Sequence, residues 1–151
     1  MKAGNCMQHT ELGNLLRISR CFDIFRRQKM KDLDLYPGLT MLVSHVCRNP
    51  GCSQEFLAEK VCLDKTTVAH HLSRLEEKGY VERRVSVNDA RVRAVYPTEK
   101  AMAIYPQLHE TYTQFYEQLL RNLSDTDREE VARLSEILYH NALALVKEGK
   151  A

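Results

Sequence analysis

Residues 53–97 read SQEFLAEKVCLDKTTVAHHLSRLEEKGYVERRVSVNDARVRAVYP, and the fold turns on the segment at their centre, DKTTVAHHLSRLEEK, residues 64–78, which Gly79 closes. Asp64 is a residue type that accepts backbone N–H bonds at a helix N-cap, and Gly79 suits the left-handed conformation that follows a helix C-terminus. A helix is therefore predicted from Asp64 to Lys78. Val68, Leu72 and Leu75 recur at i, i+4 and i+7, so one stripe packs inward. Thr66, Thr67, His70, Ser73 and Arg74 fall on the opposite arc. A face that only needs solvation usually carries Glu and Lys, whereas short hydrogen-bonding side chains let a helix approach another surface closely, and the major groove of DNA admits one helix. On this helix alone, a solvated face remains the plainer reading.

The flanks decide the matter. Upstream, Ser53 can cap a shorter helix, QEFLAEKV, that buries Phe56, Leu57 and Val61, and Cys62-Leu63 makes a tight turn into Asp64, which is helix-turn-helix spacing. Downstream, Tyr80 to Val87 has the β-branched content of a strand, and Arg91 to Tyr96 can return beside it across the turn-prone Asn88-Asp89-Ala90. Two helices, a turn and an Arg-tipped hairpin form a winged helix-turn-helix. The fold class is mainly α with a small β-hairpin wing.

LSRLEEKGYVERR, followed by NDARVRAVYPTEKA, resembles the MarR family of bacterial transcription regulators. The family's wing carries an Asp-x-Arg element, here Asp89-Ala90-Arg91, and then Leu-Thr and a Gly opening the next helix, here Pro97-Thr98-Glu99-Lys100-Ala101. Pro stands for the Leu and Ala for the Gly, both at the strand-to-helix joint. Motifs match over residues 53–101, and the order of elements over nearly the whole chain. The resemblance implies a third wing strand around Gly51-Cys52 and a dimer built from the terminal helices.

The 151 residues suffice for one domain with a real core, and hydrophobic and charged fractions of 44% and 28% are those of an ordinary soluble protein. A net charge of +2 does not announce nucleic acid, but residues 11–31 hold Arg17, Arg20, Arg26, Arg27, Lys29 and Lys31 against Glu11 and Asp23. No apolar run is long enough to span a membrane, and MKAGNCMQHTELG lacks the apolar region of a secretory signal, so a cytoplasmic location is expected. Five cysteines, Cys6, Cys21, Cys47, Cys52 and Cys62, at irregular spacings suit reduced thiols packed as small hydrophobes. Peroxide-sensing relatives place a Cys well upstream of a Tyr-Pro. Here Cys21 is too near Tyr36-Pro37 and Cys6 too far. Cys47-x4-Cys52 has no CxxC or HxxxH companion, so no metal and no cofactor is expected.

In chain order, residues 8–31 form a long helix whose apolar positions, Leu12, Leu15, Leu16, Ile18, Phe22, Ile24 and Phe25, cover over half the circumference, more than one partner buries. Tyr36-Pro37-Gly38 breaks it. Leu39, Leu42, Val43 and Val46 mark a short helix ending near Asn49-Pro50-Gly51. After the wing, Thr98 can cap a second long helix, with a kink or delayed start expected at Pro106. Ser124 to Asp127 has capping-box spacing for a last helix, whose stripe is Val131, Leu134, Leu138, Ala142 and Leu145. The organisation expected is one domain over 1–151, with dimerisation helices at 8–35 and 98–149 and a DNA-binding lobe at 37–97.

The function expected is sequence-specific regulation of transcription by a homodimeric repressor on a pseudo-palindromic operator in double-stranded DNA, and not catalysis, since no Gly-rich phosphate loop, nucleophile elbow or HExxH is present. Thr66, Thr67 and His70 are placed for base edges and Lys65 and Arg74 for phosphates. Arg83, Arg84 and Arg91 belong to the wing. Arg91 resembles the family's minor-groove Arg, and Asp89 would orient Arg83 or Arg84. Release by a small effector such as an aromatic carboxylate is implied, with Arg17, Tyr36, His45, Tyr105, His109 and Tyr112 as candidate lining. Alternatives are a redox- or zinc-responsive repressor of the same fold, the latter through His45 and His109, and a winged-helix protein-interaction module that does not bind DNA.

Overall fold

The structure, a computed structural model, describes residues 10–85 and 93–148. Local hydrogen bonds delimit the helix-turn-helix. Ser53 Oγ accepts from the Phe56 N–H at 3.0 Å and starts α3 (Gln54–Val61). Cys62 ends it in the left-handed region, φ 52°, with the N–H groups of Cys62 and Leu63 returned to the Glu59 and Ala58 carbonyls. Asp64 then caps α4 (Lys65–Glu77) by accepting from the Thr67 N–H at 2.9 Å. At the far end Gly79 has φ +74°. Its N–H donates to Glu76 and that of Tyr80 to Leu75, the paired Schellman bonds that turn the chain out of the helix.

That turn feeds β2 (Val81–Val85) directly, which pairs antiparallel with β3 (Arg93–Pro97) from Val81 opposite Pro97 to Val85 opposite Arg93. β1 (Cys52–Ser53) pairs with the other edge of β3, in the order β1-β3-β2. The strand expected near Gly51-Cys52 is therefore present, one residue later. Ser86 to Val92, with Asn88, Asp89, Ala90 and Arg91, lie outside the described residues.

Pro37 does not interrupt a helix but begins one, α2 (Pro37–Arg48), where a first-turn Pro loses no bond. Leu39, Leu42, Val43 and Val46 of α2, Leu57 of α3, Val68, Leu72 and Leu75 of α4, and Val95 of β3 are fully buried together. Each such side chain contributes roughly 1.5–3 kcal/mol by leaving water, which makes this cluster the base on which α4 is held.

Two compact units divide at Phe115 and Tyr116. In the first, α1 (Thr10–Lys29) meets α5 (Glu99–Leu120) through Phe22 and Phe25 against Tyr112 and Phe115, with ring centroids 4.7–5.5 Å apart. Thr98 Oγ1 accepts from the Ala101 N–H at 3.3 Å, and α5 starts at once. The delayed start expected at Pro106 does not occur, because Ala101 and Leu108, both fully buried, anchor the helix on either side of it. In the second unit, Ser124 and Asp127 form the expected reciprocal box before α6 (Asp125–Glu148), and Arg128 donates to the carbonyls of Leu120 and Leu123. No helix among the described residues is long and apolar enough to cross a membrane.

Candidate nucleic-acid interface

The buried stripe of α4 fixes which residues face out. Lys65, Thr66, His70 and Arg74 are exposed, and Thr67 and Ser73 half-buried, so the structure brings the expected arc together on one helix face. Not every member is equally available. Thr67 donates its hydroxyl proton to Asp64 Oδ2 at 2.6 Å, which leaves its oxygen as an acceptor only. That bond and the cap hold the Asp64 carboxyl below the usual range. Lys65 pairs with Glu55 across the turn, and Gln54 Nε2 donates to the Lys65 carbonyl at 3.0 Å, so both helices of the motif are tied at their N-termini. Arg74 lies over the Tyr36 ring, 5.9 Å from its centroid, and has no carboxylate partner among the described residues.

On the wing, Arg84 is exposed, pairs with Glu82 and stacks over Tyr96. Arg83 turns the other way, to Glu76 and Ser73 of α4. Arg83 and Arg84 thus have carboxylate partners that sequence reading missed, since Glu76 meets Arg83 only once β2 folds back on α4. Asp89 and Arg91 are in the segment outside the described residues.

The six residues expected to line an effector pocket do not share one set of partners. Tyr36 packs edge-on to His71, with centroids 5.7 Å apart. Tyr105 accepts from Arg48 Nε at 3.2 Å and meets His109 edge-on. Tyr112 accepts from Arg26 at 3.2 Å. His45 is half-buried, and desolvation, with Arg48 and Lys60, pushes its pKa down. Arg17 is exposed on α1. Tyr36 lines two cavities among the described residues of the first unit, and the other five do not line either of them. One, about 230 Å³, also takes in Arg26, Arg27, Lys31, Pro37 and Thr40. The other, about 600 Å³, takes in Leu33, Asp34, Leu35, Arg74 and Lys78. Arg26 was not anticipated; it is buried, and its two terminal nitrogens donate to Asp23, Tyr112 and the Pro37 carbonyl. Its Nε stays unpartnered.

Burial pushes the Cys47 and Cys52 thiols up to about 11. Among the described residues no three His, Cys, Asp or Glu side chains converge as metal ligands would.

A three-stranded wing on a capped helix-turn-helix defines a winged-helix DNA-binding regulator. The MarR family profile matches residues 37–92. The uncharacterized HTH-type transcriptional regulator YybA of Bacillus subtilis (strain 168) is 30% identical over 117 residues, 78% of this chain and 78% of that protein. The crystal structure of the transcriptional regulator SlyA superposes with a TM-score of 0.81 at 29% identity, covering 87% of this chain and 92% of that one. A transcriptional regulator of Listeria monocytogenes assigned to the MarR family and complexed with 26mer DNA superposes with a TM-score of 0.81 at 22% identity, covering 86% and 87%. The chain belongs to the MarR family, whose members regulate transcription and are not enzymes.

Proposed function

We propose that the chain is a homodimeric repressor that binds a pseudo-palindromic operator and leaves it when a small effector binds. The observation that carries this reading is the outward arc of α4, where Thr66, His70 and Arg74 stand exposed on a helix rigidly capped at both ends. Thr66 and His70 read base edges, Thr67 adds an acceptor, and Lys65, Arg74 and Arg84 take phosphates. Arg91 is assigned to the minor groove by its family resemblance. Such a regulator works where the chromosome is, in the cytoplasm.

A dimer is supported by surplus apolar surface. α1 exposes Leu12, Leu15, Leu16, Ile18 and Ile24, and α6 exposes Val131, Leu134, Leu138 and Leu145. A second copy covers these faces, and two-fold symmetry then spaces two copies of α4 by about 34–36 Å, one turn of DNA. For the effector, the cations Arg27 and Lys31 beside Tyr36 suit an aromatic carboxylate.

Fluorescence anisotropy against DNA flanking the chain's own gene, with random duplex as competitor and a salt series, tests the reading. Specific, salt-sensitive binding is expected, with Arg91→Ala weakening it on all sequences and lowering the salt slope, and His70→Ala changing sequence preference at constant slope. Unaltered affinity of Arg91→Ala at physiological salt would remove the wing from the interface. Addition of aromatic acids to the same complex screens for release.

A further inference from the structure

Arg83 sits mid-strand in β2, and its period-two neighbours decide where it points. It shares a face with Val81, which is buried, and stands opposite Val95 of β3, which is fully buried, so its side chain starts from the inner face of the sheet. From there the guanidinium reaches α4. Nε donates to Glu76 Oε2 at 2.9 Å, and one terminal nitrogen donates to the same oxygen and to Ser73 Oγ, the latter at 3.2 Å. The Arg83 backbone N–H donates to Glu76 Oε1 at 3.3 Å. One carboxylate therefore takes both the main chain and the side chain of the same wing residue. The Arg83 side chain is 22% exposed against 63% for Arg84, so only one of the adjacent arginines is folded into the joint.

Val81 of β2 shares a buried apolar cluster with Val68, Leu72 and Leu75 of α4, and apolar burial is non-directional. A forked guanidinium on a carboxylate is directional. A carboxylate on the helix offered to DNA also repels phosphate, a cost that its role in the joint would account for. We propose that Glu76 and Arg83 are a positioning pair, which sets the angle of the wing on the recognition helix so that both engage DNA at once, and that Arg83 is not itself a phosphate ligand. This rests on the DNA-binding reading above. Arg83 commits Nε and one terminal nitrogen to α4, and it is the more buried partner of the pair, which turns its fork away from a phosphate.

The two roles give opposite signs on the full-length chain. For a positioning pair, Glu76→Ala and Arg83→Ala each lower operator affinity about tenfold, and the double variant is no worse than either single, as coupled residues require. Random-duplex affinity falls less, and the salt slope of Arg83→Ala stays that of the parent. Arg83→Lys, which keeps the charge and loses the fork, still weakens operator binding. Circular dichroism melts establish that each variant is folded at the assay temperature, and Arg83→Lys provides the test should an Ala variant unfold. The proposal is overturned if Arg83→Lys binds like the parent, if Arg83→Ala lowers the slope by about one, or if Glu76→Ala binds DNA more tightly. A parent chain that prefers no operator over random duplex would overturn the DNA reading itself and this inference with it.

Discussion

Cys47 and Cys52 show at the residue scale why a sulfur count says little about redox function. The thiolate is the reactive form, and with thiol pKa values pushed up to about 11, only about one molecule in ten thousand carries it at pH 7. A maleimide reagent at pH 7 is therefore expected to spare both in the native protein and modify both in denaturant. Labelling of either in the native state at the rate of a small thiol would make that cysteine a candidate for the redox-responsive alternative. The imidazoles behave in a related way. Desolvation, first among the causes, lowers the pKa of His45 and of His71, so the folded state holds fewer protons than the unfolded one. Their stabilising contribution is complete above the unfolded value of about 6.5 and is lost as pH falls below it. The melting midpoint is expected to drop from pH 7.5 to 5.5, and His45→Asn with His71→Asn to flatten that drop. An equally steep drop in the double variant would place the titrating groups elsewhere.

Among the elements, those bounded by local bonds were legible from sequence. Ser53, Asp64, Thr98 and Ser124 each accept from a backbone N–H three residues on, and Gly79 needs only its own φ, so residue type suffices to mark them. Ser53→Ala is expected to cost about 1 kcal/mol in urea unfolding, the usual value of an N-cap, while Leu57→Ala, in the fully buried core of the same helix, costs about 2–5 kcal/mol through the cavity it leaves. Equal losses would mean that the cap, and not the core, carries α3. Packing accounts for what local bonds do not delimit. β1 has two residues, too few for any periodicity, and exists because β3 offers a second edge. α5 runs through Pro106 because Ala101 and Leu108 are held in the core.

For the whole molecule the open surface is the informative part. Leu145 of α6 is 70% exposed and Leu16 of α1 65%, within helices that carry further exposed Leu and Ile. Aliphatic surface on this scale is what the proposed dimer would cover. Leu134→Glu with Leu138→Glu is expected to give a monomer by sedimentation and to lower operator affinity at least a hundredfold, since one half-site contact no longer helps the other. A variant that stays dimeric would move the interface off α6.

Local rules in the sequence alone determined the caps, the inward stripe of Val68, Leu72 and Leu75, the two helices and turn of the helix-turn-helix and the outward arc of α4, because each depends on neighbours within about one or two helical turns. Contacts between residues distant in sequence were decided only by the tertiary structure. It set Arg26 against Tyr112, 86 residues away, and Arg48 against Tyr105, 57 residues away. A titratable or cationic side chain takes its role from the group it meets, and which groups meet is settled by how the elements pack.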